Sequence, residues 1–221
     1  MQTYADNSQR IGALAAVLGG LLWAAKAFYD RNDAPPWPTD LTDTLFFVVP
    51  LLLLVALVGL YARCRGRLGA DWEAVSFGAF VVGAAGLAAS ITGLLTMTFE
   101  VGPLWWIDAS WMMFVSGFFM GNLGLVFFGT SVLQSPALGR WGLLLLGIGA
   151  LGILLILVSD PPNSELGVYP ALTLWVLYGL GWAALGYVLT TGDRSPAGSS
   201  ASAGPGTDRL EEDNRITARR R

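Results

Sequence analysis

The chain has 221 residues, 54% of them hydrophobic and only 13% charged, with a net charge of −3 and a mean hydropathy of +0.56. Such a balance excludes an ordinary soluble domain of this length. With no histidine and a single cysteine, Cys64, it also excludes an intramolecular disulfide and argues against a structural zinc site of the Cys/His type.

The first apolar stretch, Ile11 to Phe28, follows Arg10 and closes on Trp23, Lys26 and Tyr29. Arg10, a short apolar region and the small-x-small pair Ala25 and Ala27 also have the form of a signal peptide, against which Asp6 and Lys26 both count. A proline-rich loop with Trp37 leads to the second stretch, Thr44 to Tyr61, where Pro50 is a candidate kink. Arg63, Cys64, Arg65 and Arg67 follow it directly. The third stretch, Glu73 to Met97, carries Ser90, Thr92 and Thr96, hydroxyls able to bond back to their own helix.

An aromatic and acidic segment then connects to the fourth stretch, Ile107 to Leu133: Glu100, Gly102, Pro103, Trp105, Trp106, Asp108 and Trp111. Asn122 lies near the middle of that stretch, and Gly117 with Gly121 gives it a GxxxG spacing that predicts a close helix contact. Arg140 precedes the fifth stretch, Trp141 to Val158. Asp160 to Glu165 reads as a rigid proline-bearing turn rather than an acid/base pair. Gly179 and Ala183 repeat the small-residue spacing in the sixth, Val168 to Leu189. From Asp193 onward, glycine, serine, alanine and proline dominate, a composition that buries too little surface to fold. The tail ends in Arg219, Arg220 and Arg221, but Glu211, Glu212 and Asp213 precede them, which favours a solvated tail over a nucleic-acid contact.

At about 1.5 Å per residue, the uncharged run Trp141 to Val158 reaches roughly 27 Å, close to the hydrocarbon thickness of about 30 Å. Six continuous runs of this kind predict an all-α, polytopic six-helix transmembrane bundle (residues 1–192) and a flexible tail (193–221); a barrel requires short alternating strands instead. Arginines collect after the second and fourth runs and before the first, whereas the opposite loops are acidic. The positive-inside rule then expects a multi-pass protein of the cell membrane with both termini cytoplasmic. Small residues recur at related places: Gly12, Gly78 and Gly142, then Gly20, Gly86 and Ala150, with Ala56/Gly59, Gly121/Gly124 and Ala183/Gly186 in the even-numbered runs. They suggest three repeated helical hairpins.

Two places are candidate ligand sites. At the outer rim, Lys26 opposite Glu100 or Asp108, with Trp105, Trp106 and Trp111 as apolar walls, suits a lipid, quinone-like molecule or pigment; an aromatic belt at the headgroup boundary accounts for the same residues. In the interior, the Asn122 amide needs a partner, with Ser90, Thr92 and Tyr178 as candidates, or else a ligand carbonyl. No zinc-hydrolase motif, P-loop or nucleophile elbow occurs, and no catalytic residue or resident cofactor is predicted. The reading is therefore a noncatalytic integral membrane component whose partners are lipids, another membrane protein or a second copy. Its alternative is a small transporter with a route near Asn122.

Overall fold

The computed structural model describes residues 2–31, 39–99, 102–135, 138–159 and 168–191. These residues form six α-helices: α1 (Gln2–Arg31), α2 (Thr39–Cys64), α3 (Ala70–Thr98), α4 (Leu104–Leu133), α5 (Gly139–Ser159) and α6 (Val168–Thr191). The tail beyond residue 191 lies outside the described residues. Five helices hold segments long and apolar enough to cross a membrane: Asn7–Ala25, Ala70–Thr98, Ala109–Leu133, Trp141–Val158 and Thr173–Thr191. The apolar segment of α2 is shorter, Val48–Cys64. As a whole, α2 has 26 residues, which reach about 39 Å.

Each helix packs on its neighbours in sequence, and α6 closes on α1, so the order around the bundle is a ring. Between α2 and α3 the amides of Arg65 and Arg67 bond the carbonyls of Tyr61 and Cys64 at 2.9 and 3.0 Å, and Gly66 turns the chain with φ 74°. Few residues other than glycine adopt that angle. Gly102, at φ 115°, does the same ahead of α4.

Large apolar side chains stand on both the outside and the inside of the bundle, and small residues are placed where helices touch. Leu14, Leu18 and Leu21 on α1, Phe127 on α4 and Leu143 and Leu157 on α5 point outward, while Ala13, Ala16, Gly20, Gly86 and Gly124 lie inside. Between helices already in lipid, apolar burial supplies little driving force, and attraction comes from close van der Waals contact. Small residues permit that contact, and large rings such as Phe128, Tyr178 and Trp182 fill the space between helices that stand further apart.

Those small residues bring backbones together at four of the six junctions. A methyl group built on Gly12 would stand 2.6 Å from the Gly59 Cα, joining α1 to α2. On Gly179 it would meet the Gly20 carbonyl at 2.5 Å, joining α6 to α1. On Gly124 it would meet the Gly83 Cα at 2.5 Å, and on Gly117 the Gly86 carbonyl at 2.6 Å, joining α4 to α3. On Gly142 it would meet the Gly129 carbonyl at 2.7 Å, joining α5 to α4. The GxxxG of α4 thus lies against α3, and Gly179 with Ala183 lies against α1.

The structure does not confirm the suggested three-hairpin repeat: Gly20 faces α6, whereas its counterpart Gly86 faces α4. Gly59 faces α1 and Gly124 faces α3, as equivalent positions should, but Gly142 faces α4 and Gly186 faces Ala13 and Val17 of α1. Helix α6 meets α5 at Gly181, where a methyl group would stand 2.9 Å from the Ile148 side chain. Gly78, the counterpart of Gly12, has nothing within 4 Å.

Candidate functional site

Asn122 is 1% exposed and stands where α4, α5 and α6 meet. Its Nδ2 donates to the Phe118 carbonyl one turn back, at 2.9 Å. The amide occupies the space where a side chain on Gly152 would be, so α5 gives up a Cβ to admit it. Ser90 and Thr92 are engaged elsewhere: Ser90 Oγ donates across the helix pair to the Phe114 carbonyl at 2.9 Å, and Thr92 donates to Ala88 of its own helix. Tyr178 is the predicted neighbour that does lie beside Asn122, with Trp182 on its other side. Neither Asn122 Oδ1 nor Trp182 Nε1 has a protein hydrogen-bond partner.

Around this polar group stands a cluster of rings. Trp23 lies flat between Phe118 and Trp175, with centroids 5.5 and 4.8 Å away and interplanar angles of 1° and 11°. Tyr178 meets Trp23 and Phe118 edge-on at 5.5 and 5.6 Å, and Trp182 meets Tyr178 edge-on at 6.5 Å. At the sequence level Trp23 belongs to the rim. Its exposure of 2% corrects that: the ring points inward along the Gly19, Gly20 face of α1 and fills the interior.

The predicted rim is only partly described. Glu100 and the side chains of Lys26 and Asp108 lie outside the described residues. Trp105 and Trp106 meet edge-on at 5.8 Å and are 69% and 36% exposed; Trp111 is 47% exposed and tilts onto Phe114 at 5.6 Å. Rings this open face the surroundings of the bundle.

Two further features were not apparent from sequence. Arg63 is almost wholly buried: its Nη1 donates to the Leu189 carbonyl near the C-terminus of α6 at 3.1 Å, and its guanidinium lies 5.0 Å over the Trp141 ring of α5. A helix C-terminus offers unsatisfied carbonyls and partial negative charge, so a cation is well placed there. At the same end Ser135 Oγ reaches the Arg67 carbonyl at 3.4 Å. The second feature is an outward groove of about 340 Å³ between α3 and α4, floored by Ala85, Gly86, Ala89 and Gly117 and edged by Val81 and Met120. It adjoins an exposed row of small residues on α3 that includes Ala74, Gly78, Ala85 and Ala88. Trp182, midway along the sixth span, was the available signal for the interior cluster, because tryptophan otherwise concentrates at the membrane boundaries.

Comparison with protein-family models, curated proteins and solved structures finds no match for this chain.

Proposed function

We propose that the chain is a noncatalytic, multi-pass component of the cell membrane that packs against lipid or another membrane protein through the small-residue face of α3. The groove beside Gly86 and Gly117 is the observation that carries this reading. Among its outward residues α3 carries Ala74, Gly78, Ala85 and Ala88, small residue types that let a chain or helix approach closely, beside the larger Phe77 and Val81. In this reading Trp105, Trp106 and Trp111 set the depth of the bundle at the headgroup boundary, and Arg63, Arg65, Arg67 and Arg140 keep their end, with both termini, on the cytoplasmic side.

Filling the groove is the direct test. Ala85→Phe should leave helix content and thermal midpoint intact while reducing the lipid or protein retained on purification, measured by native mass spectrometry. Unchanged retention would remove the basis of the proposal.

A second reading, transport along a route near Asn122, is favoured by one observation, the buried Asn122 Oδ1 without a protein partner. It requires that Asn122→Cys, in a Cys64→Ala background, react with a water-soluble thiol reagent in bilayers. The packing role requires that it stay unreactive.

A further inference from the structure

The groove between α3 and α4 continues toward one end of the bundle as a track of small residues. On α3, Ala74, Gly78 and Ala85 are all exposed, and their spacings of four and seven residues put them on the face that lines the groove. Gly78 weakens the helix as glycine does, yet no described part of the chain uses the space it leaves, since a methyl group there would meet nothing within 4 Å. Toward the opposite end the exposed residues include Leu95 and Phe99 on α3 and Met112 on α4, large side chains in place of small ones. From Ala74 to Ala85 the track runs about 17 Å at the rise of a helix, close to half of a hydrocarbon core of about 30 Å.

The groove is narrow and asks for no polar partner. Its volume of about 340 Å³ extends over the two turns from Val81 to Ala89, a section of about 30 Å². A helix with its side chains is about 10 Å across and does not enter such a channel, whereas a single hydrocarbon chain does. Ser116, the polar residue of the wall, already donates to the Met113 carbonyl at 3.3 Å. The end to which the track leads is charged: Arg65 and Arg67 are exposed in the link before α3, and no described residue engages their guanidinium groups. Asp71 is exposed on the track side of the first turn, whereas Glu73 stands off that face. Two cations and a carboxylate at the head of an apolar track match a headgroup that joins a phosphate to an amine. We infer that this face holds one aminophospholipid, its phosphate on Arg65 and Arg67, its ammonium on Asp71, and one acyl chain along Ala74 and Gly78 with its end in the groove at Ala85. The inference rests on the α3 face being a contact surface and names what covers it.

Native mass spectrometry of the full chain, stripped of lipid and then offered phosphatidylethanolamine or phosphatidylglycerol of equal chain length, tests it. The parent should retain one phosphatidylethanolamine in preference to phosphatidylglycerol. Arg65→Gln combined with Arg67→Gln leaves the groove intact and should lower that retention by about tenfold or more, as expected for two arginines near a phosphate. Asp71→Asn should remove the preference between the two headgroups, and Ala85→Phe should lower retention of both. All four positions are exposed, so the substitutions leave the packed interior alone. Equal retention of the two lipids by the parent would overturn the inference. So would loss of lipid in Ala85→Phe without loss in the arginine variant, or a dimer that Ala85→Phe dissociates; either leaves the contact surface standing. Retention unchanged in every variant removes the contact surface as well.

Discussion

Helices α3 and α4 meet through backbone; helices α2 and α3 meet through rings and methyl groups. Gly83 shows both on one helix, with its α-carbon pressed to Gly124 on one side and a Leu57 methyl on the other. The difference shows how a bundle obtains both close and wider helix contacts from apolar residues alone. Glycine sets the closest approach, and an aromatic side chain fills a wider one.

The strongest way to break this contrast is to place a side chain in a glycine contact. Gly86→Val should cost about 3 kcal/mol or more, because its Cβ would collide with the backbone of Gly117 and Met120 and neither can yield. Reversible unfolding in mixed detergent would measure it, and a loss under 1 kcal/mol would mean that α3 and α4 are not locked. An intermediate effect is expected where side chains carry the contact. Arg63→Met keeps the aliphatic stem but loses the bond to Leu189 and the contact with Trp141, a cost of about 2 kcal/mol by the same assay. Smallest, and of opposite sign, is Gly78→Ala, which meets nothing within 4 Å and should stabilise α3 by up to about 1 kcal/mol through helix propensity.

The part of this architecture legible in the sequence was the part set by the solvent. Continuous apolar runs announce spans because a bilayer requires about 20 such residues, and GxxxG announces contact because only small residues allow it. Which helix each glycine faces was not legible. Gly142 and Gly186 have the spacing of a third hairpin but face α4 and α1, since ring closure is a property of all six helices together. Arg63 reads as a surface charge because its partners, Trp141 and Leu189, are distant in sequence and only the folded bundle brings them near. Of the interior site, Asn122 was evident as an amide in hydrocarbon. Its glycine seat at position 152 depended on the α4–α5 crossing.

The hydroxyl groups of the bundle bear on the order in which it assembles. Thr92, Thr96, Ser110, Thr130 and Ser131 each bond a carbonyl three or four residues earlier in their own helix. A span that meets its polar needs internally can enter the bilayer alone and wait there. Ser90 is different, for its acceptor belongs to α4. Until that neighbour arrives its hydroxyl must turn to its own helix, and pairing of α3 with α4 is then the step at which it changes partners.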